Sequence, residues 1–278
     1  MDANLLKPTY LKGLCRAYGL SPSKQYGQNY LVQAHPIHAM LEAAQVKKTD
    51  MIVEVGPGFG ILTLTTAPQV KHVIAFEIEK KLQAYWEEKK EEYPNVDVVW
   101  GNVLKEFPKY ESRLQNYKVV ANLPYQITSR ILRLFLEEVQ HKPESITVMV
   151  QKEVADRICA KPGEMSLLSV SVQYYGKPRV VTKVARGSFW PSPAVDSAII
   201  HIDIPQTQES GTSAEGVFRV ARSGFANKRK QLWRNVSQGL QIPAEKVKET
   251  VQQVTGNEKI RAEELSIEQW RELTKQLL

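Results

Sequence analysis

Met51-Ile52-Val53-Glu54-Val55-Gly56-Pro57-Gly58-Phe59-Gly60 is the stretch that decides the fold. Its first half reads as a strand buried on both faces. It runs straight into a glycine-rich turn, and 61–66 continues with a helical pattern. Such a turn between strand and helix lets the backbone approach a ligand closely. The glycines stand at 56, 58 and 60, whereas a dinucleotide fingerprint wants the third at 61, where the chain has Ile61. That spacing suits an adenosyl ligand without a pyrophosphate better than a dinucleotide.

Working outward, 72–76 is a second strand and ends at Glu77. An acid about 20 residues past the first glycine is where α/β nucleotide folds grip ribose hydroxyls. A charged helix over 80–92 follows, then a third strand over 96–100 that closes in Gly101-Asn102-Val103-Leu104. The fourth strand, 118–125, closes in Asn122-Leu123-Pro124-Tyr125 and leads to a helical pattern over 129–136. An amide, a stiff proline turn and an aromatic face can together hold a flat, amino-bearing ring. Taken alone, the same residues also read as an ordinary strand–turn–helix junction. A fifth strand over 145–151 and a helix over 153–160 complete the alternation. Alternating strands and helices imply an α/β domain with a mostly parallel sheet, whose ligands lie beyond the strand C-termini. Gly56–Gly60, Glu77, Asn102 and Asn122–Tyr125 all fall on that rim.

The flanks are less regular. Residues 8–20 suggest a short helix with Pro8 at its start and Gly19 after its end, and 35–46 has helical periodicity. The polar and aromatic stretch 25–31 reads as a loop laid across something. Beyond 161–163 the alternating pattern of 169–174, like 180–184, predicts strands. Phe189-Trp190-Pro191-Ser192-Pro193 forms a stiff extended loop, followed by a strand over 195–202. Phe189 there serves equally as a second wall of a base-stacking slot or as a plug in the core. Residues 206–215 read as a linker. Helical patterns follow over 216–228, 229–239, 243–255 and 266–277. The expected organisation is one large α/β domain over 1–205, a linker over 206–215 and a small all-helical domain over 216–278.

The chain has 278 residues, of which 42% are hydrophobic, enough for a large core. No apolar run approaches the ~20 residues of a membrane span, and the N-terminus lacks a secretory pattern. Cys15 and Cys159 are the two cysteines, and the five histidines (35, 38, 72, 141, 201) are scattered. This argues against a disulfide framework or a zinc site and fits a reducing compartment. The net charge is +7, and its excess is clustered. From 165 to 195 there is no acid against Lys177, Arg179, Lys183 and Arg186; from 219 to 234 there is none against Arg219, Arg222, Lys228, Arg229, Lys230 and Arg234. Clustered positive charge favours a polyanion over a solvated face.

These motifs, in this order, resemble those of the small-subunit rRNA adenine dimethyltransferases over nearly the whole chain. Tyr26-Gly27-Gln28-Asn29-Tyr30-Leu31 is similar to the family's cofactor-covering motif, and the stretch from Glu54 to Thr63 to its methyl-donor loop. Asn122-Leu123-Pro124-Tyr125 resembles the catalytic motif. Phe189-x-Pro191-x-Pro193-x-Val195-x-Ser197 resembles the aromatic target loop, and Phe225-Ala226-Asn227-Lys228-Arg229-Lys230 the basic helix opening the C-terminal domain. The chain departs from the family in two places. Asn102 stands where the family usually has Asp, contacting the cofactor's adenine amino group, and Met165-Ser166-Leu167 replaces the usual Tyr-Gly before Leu168-Ser169-Val170.

The resemblance implies a Rossmann-like class I methyltransferase transferring methyl groups from S-adenosylmethionine to N6 of two adjacent adenosines near the 3′ end of small-subunit rRNA, twice each. It assigns Gln28, Asn29, Leu31, Gly56, Gly58, Gly60, Glu77, Asn102 and Asn122 to the cofactor. Asn122, Leu123, Pro124, Tyr125 and Phe189 fall to catalysis, and Lys228, Arg229, Lys230 and Arg234 to RNA. The expected setting is cytoplasmic, as a monomer, on a ribosomal subunit precursor, with no membrane and no metal. Three readings compete: a large-subunit rRNA adenine methyltransferase, a non-catalytic ribosome-assembly factor and, third, a nicotinamide enzyme.

Overall fold

The computed structural model describes residues 2–21, 29–114, 116–205 and 212–278. The strands are β1 (Tyr30–Leu31), β2 (Met51–Val55), β3 (His72–Glu77), β4 (Val96–Trp100), β5 (Lys118–Asn122), β6 (Ser145–Gln151), β7 (Lys177–Val184), β8 (Phe189–Trp190) and β9 (Ser197–Asp203). The helices are α1 (Pro8–Ala17), α2 (Ala34–Ala43), α3 (Ile61–Thr66), α4 (Gln83–Lys89), α5 (Val103–Tyr110), α6 (Thr128–Arg133), α7 (Lys152–Ile158), α8 (Leu167–Tyr175), α9 (Ala214–Gly224), α10 (Leu232–Leu240), α11 (Ala244–Thr255) and α12 (Ile267–Leu277).

Seven strands form one sheet in the order β4-β3-β2-β5-β6-β9-β7. The pairs β3–β4, β2–β3, β2–β5 and β5–β6 are parallel and β6–β9 is antiparallel, giving the Rossmann-like α/β architecture. From β2 the chain builds outward to β3 and β4, then returns to place β5 on the opposite side. The C-terminal ends of β2 and β5 therefore flank the point where strand order reverses, the crevice in which such sheets bind ligands. A separate two-stranded ribbon pairs β1 with β8, Leu31 opposite Phe189 and Tyr30 opposite Trp190.

Two apolar clusters support this rim. One gathers Ile37 and Met40 of α2, Ile52, Leu62, Val120, Met149 and Ile199 around the sheet. The other joins Leu11 and Cys15 of α1 to Phe59, Leu64, Tyr85 and Trp86 beneath the glycine turn.

The chain divides into two compact units, 1–155 with 179–206 and 156–178 with 207–278. The second unit thus contains α8 as well as α9 to α12. Residues 206–211 of the expected linker lie outside the described residues, and Ser213 caps α9 by accepting from Gly216 N–H at 3.1 Å.

The strand expected over 169–174 is instead helix α8. Its Val-Ser-Val alternation imitates a period of two, but Ser166 and Ser169 form a reciprocal capping box that starts a helix. Val170 and Tyr174 are then one turn apart, and Val172 and Tyr175 likewise, all four buried. Tertiary packing overrides the β-propensity of the two valines. Within the same unit, the ring of Tyr174 meets Tyr175 and Phe218. The helix expected over 80–92 is shorter than its charge pattern suggests, a 3₁₀ turn at Lys80–Leu82 followed by α4.

Candidate active site

A cavity of about 580 Å³ opens at the C-terminal ends of β2, β3, β4 and β5. Asn29, Leu31, Gly56, Gly58, Glu77, Asn102, Asn122 and Pro124, all singled out from sequence, line it together with Glu54 and Tyr30. Among its lining residues the charged side chains are two carboxyls, Glu54 and Glu77, with no lysine, arginine or histidine. The lining thus offers apolar surface and two carboxyls, with no basic side chain to repel a cationic ligand.

The glycine turn is held from below. Trp86 Nε1–H donates to the Gly58 carbonyl at 3.0 Å, and the Tyr85 hydroxyl to the Phe59 carbonyl at 2.8 Å. Gly60 lies at φ +81, and a Cβ there would meet Trp86 at 2.8 Å. Gly60 is thus a packing glycine behind the turn, while Gly56 and Gly58 face the cavity.

Glu77 closes β3 and is 5% exposed. Its carboxylate accepts from Gly58 N–H at 3.0 Å and Glu79 N–H at 2.8 Å. Burial raises its pKa, and these backbone donors oppose the rise. Glu54, on β2, is 2% exposed, and desolvation first, with the charge of Glu77 adding to it, pushes it up to about 8. Sequence reasoning passed over Glu54 as a site residue. The available signal was a carboxyl inside an otherwise apolar buried strand, since such groups are rarely kept without a partner. Tyr30 also lines the cavity, and its hydroxyl is buried without a hydrogen-bond partner among the described residues.

Asn102 is the N-cap of α5, its Oδ1 accepting from Leu104 N–H at 3.0 Å. At β5, Asn122 lines the cavity and its Nδ2–H donates to the Asn29 carbonyl at 3.5 Å. Leu123 is buried, its N–H donating to the Met149 carbonyl at 3.1 Å. Pro124 directs the chain into the turn Tyr125–Ile127. The Tyr125 hydroxyl shares a 2.6 Å hydrogen bond with Oγ of Ser197, which is fully buried. Tyr125 lies beside the cavity lining, and Ser197 is the fixed point that sets its ring.

Phe189 is 4% exposed and packs in the core cluster with Leu31, Met40 and Val184, outside the cavity lining. Its neighbour Trp190 stacks on Tyr30, with centroids 6.3 Å apart and planes at 19°. Gln28 falls outside the described residues. In the second unit, Lys228, Arg229 and Lys230 are exposed, on a turn between α9 and α10 and not on the helix expected there. Buried Asn235 shapes that turn by donating to the carbonyls of Gly224 at 2.7 Å and Asn227 at 2.8 Å. Arg234 is exposed and lies over the Trp233 ring at 5.0 Å. No group of three or more potential metal ligands occurs among the described residues.

Residues 20–277 match the family described as ribosomal RNA adenine dimethylase. The ribosomal RNA small subunit methyltransferase A of Dehalococcoides mccartyi is 43% identical over 265 residues, covering 94% of this chain and 90% of that protein. Its namesake from Alkaliphilus oremlandii is 36% identical over 283 residues, covering 97% and 96%. Among solved structures, the 23S rRNA methyltransferase ErmE aligns with a TM-score of 0.75 at 26% identity, covering 90% of this chain and 99% of that one. A dimethyladenosine transferase from Plasmodium falciparum aligns with a TM-score of 0.74 at 26% identity, covering 87% and 95%. The two folds fit alike, so shape does not separate small-subunit from large-subunit enzymes. Sequence identity through both units favours the small-subunit group.

Proposed function

The chain belongs to the ribosomal RNA adenine dimethylase family, and from that premise we propose how its cavity and rim carry out the family's reaction. It is an S-adenosylmethionine-dependent methyltransferase that dimethylates N6 of adjacent adenosines near the 3′ end of small-subunit rRNA. The cavity fits the donor: its volume suits a nucleoside-sized ligand, Glu77 can accept from two hydroxyls, and its charged side chains are both carboxyls. Bound there, S-adenosylmethionine supplies a methyl group on a cationic sulfur. Asn29 and Leu31 would cover the donor, Gly56 and Gly58 would admit it closely with Gly60 securing the turn, and Glu77, Asn102 and Asn122 would contact it.

The observation that carries the mechanism is the orientation of Asn122. With its N–H engaged by Asn29, Asn122 keeps Oδ1 as the acceptor we assign to the target amine, together with the carbonyl of the adjacent Leu123. An adenine amine is a weak nucleophile because its lone pair is delocalised into the ring. Two acceptors gripping its N–H bonds turn that lone pair out of the plane and toward the methyl group. Alignment of this kind lowers the barrier without a general base. Pro124 holds the turn, Tyr125 stacks on the everted base, and Phe189 is proposed as the opposing wall once the base is seated.

Lys228, Arg229, Lys230 and Arg234 are proposed to contact RNA phosphates. Among the described residues no helix is long and apolar enough to cross a membrane. Action as a monomer, in the cytoplasm, on a ribosomal subunit precursor completes the proposal. The test is incubation with undermethylated small subunits and mass mapping of the rRNA. Dimethylation at two adjacent adenosines supports the reading; no methylation of the small subunits, with methylation of large-subunit rRNA in a parallel incubation, refutes it.

A further inference from the structure

We propose that the exposed face of β7 is a second contact for the substrate RNA. Arg179 and Lys183 on the strand, with Arg186 in the turn beyond it, hold phosphates of the RNA strand that carries the everted adenosine. The inference rests on the reading of this chain as an rRNA methyltransferase. It gives the unit that holds the cavity a phosphate contact of its own, besides the basic turn of the second unit.

β7 is the last strand of the seven-stranded sheet, beside β9, so among the described residues one of its backbone edges is unpaired. Side chains alternate between faces along a strand, so Arg179, Val181 and Lys183 share one face. Val181 is half-buried against the core and fixes that face, while Arg179 and Lys183 on either side of it are exposed. At ~3.3 Å per residue the two cations stand ~13 Å apart along the strand. Arg186, also exposed, follows in the turn Arg186–Ser188. Its N–H donates to Asp196 Oδ1 at 2.9 Å and its carbonyl accepts from the Ser192 hydroxyl at 3.0 Å, which ties the turn to the loop 189–193.

The single sign of this face sets it apart from an edge that is merely guarded. Lysine and proline often blunt edge strands, and Pro178 fits that purpose. Guarding an edge needs no excess of one charge. Other exposed cations of the same unit are offset by neighbouring acids, Lys90 by Glu87, Lys109 by Glu106 and Arg133 by Glu137. Among the described residues Arg179, Lys183 and Arg186 form no ion pair, and no acid stands between 165 and 195 to offer one. Position names the anion. Arg186 is followed by β8, which pairs with β1, and Tyr30 and Leu31 of β1 line the cavity. In the sheet β7 lies three strands beyond β5, roughly 15 Å at ~4.8 Å per strand. An RNA strand that delivers a base to Asn122 covers that distance in a few nucleotides. Phosphate contacts of this kind position the strand without reading its sequence.

The test is binding of the full chain to undermethylated small subunits over a range of salt. Arg179→Gln with Lys183→Gln is compared with the natural chain and with a control, Lys47→Gln with Lys71→Gln. The control removes the same charge at exposed positions preceding β2 and β3, on the opposite rim. The β7 pair should lose roughly 10- to 50-fold in affinity at about 0.1 M salt, and the slope of log affinity against log salt should fall by roughly 1 to 2. Melting temperature and S-adenosylhomocysteine affinity should not change. Arg179→Lys with Lys183→Arg keeps the charge and should bind as the natural chain does. Affinity and slope equal to those of the control overturn the contact. A charge-keeping pair as weak as the Gln pair also overturns it, by marking a structural role. If the Gln pair instead loses binding to phosphatidylserine vesicles and keeps its subunit affinity, the face belongs to a membrane surface and the RNA contact is refuted. Failure of the natural chain to bind or methylate small subunits overturns the function on which the contact rests.

Discussion

Glu54→Gln tests the electrostatics of the donor cavity. Burial in β2 pushes the Glu54 carboxyl from 4.5 up to about 8 in the folded chain. Between those values the folded protein holds a proton that the unfolded chain has released. Stability is therefore full below about 4.5 and falls as pH rises toward 8, because the unfolded state alone ionises freely. At ~1.4 kcal/mol per decade, the loss reaches roughly 5 kcal/mol at the top of that window. Glutamine fills the same space without titrating. Urea unfolding of both proteins at pH 5, 6.5 and 8 should show the variant gaining several kcal/mol on the natural chain as pH rises, while other titrating groups cancel in the difference. A second arm uses the cationic donor, whose charge favours ionised Glu54. Calorimetry in buffers of different ionisation enthalpy should show proton release when the natural chain binds S-adenosylmethionine at pH 7, and none for Glu54→Gln. Parallel stability curves across the window, with identical proton release, would refute the assignment of Glu54 as a carboxyl held neutral until a cation arrives.

Asn122→Ala should lower methyl transfer at least a hundredfold with S-adenosylhomocysteine affinity within about threefold, since it removes an acceptor aligned for the transition state; near-normal turnover would reject that role. Tyr125→Phe keeps the stacking face but strands the buried Ser197 hydroxyl, at a cost of ~1–3 kcal/mol. Tyr125→Ala should depress transfer much further, and equal damage from both would reject stacking. Phe189→Leu separates the two readings of that ring. A purely core residue costs stability of ~1 kcal/mol with normal transfer, whereas a wall of the target slot loses transfer tenfold or more at unchanged donor affinity. Arg229→Glu with Lys230→Glu should weaken RNA binding and reduce the slope of log affinity against log salt by roughly 1 to 2, leaving melting temperature and donor affinity unchanged.

Much of the rim was legible because each feature sits where a buried strand ends. Val-Glu-Val into Gly56, Ala-Phe into Glu77 and Val-Val-Ala into Asn122 change abruptly from apolar run to polar or glycine residue. In a parallel sheet those changes share one edge. What pattern could not supply was contact between residues far apart in sequence. Tyr125 finds Ser197 across 72 residues, and Asn122 finds the Asn29 carbonyl across 93. The orientation of Asn102 needed the position of one backbone N–H. Helix α8 was misread because two valines at alternate positions look like a strand until Ser166 is recognised as a cap. Its segment, 156–178, belongs to the compact unit formed with the C-terminal helices, and no composition shift announces that.

The division of charge between the two ends of the cavity explains how one site can act twice on the same nitrogen. Carboxyls gather at β2 and β3, where the cationic donor would be held on the proposed reading, whereas Asn122 of β5 is neutral. The first transfer leaves the amine with a single N–H, so at the second transfer one of the two acceptors has no partner. An unpaired neutral acceptor costs ~1–3 kcal/mol. An unpaired buried carboxylate would cost several more, and would also draw the sulfonium toward position 122 and out of line with the acceptor. On the proposed mechanism, neutral acceptors at Asn122 and Leu123 would keep the second methylation close in barrier to the first. By the same argument Asn122→Asp is a worse dimethylating residue than its isosteric shape suggests, and monomethyl adenine should accumulate in its products.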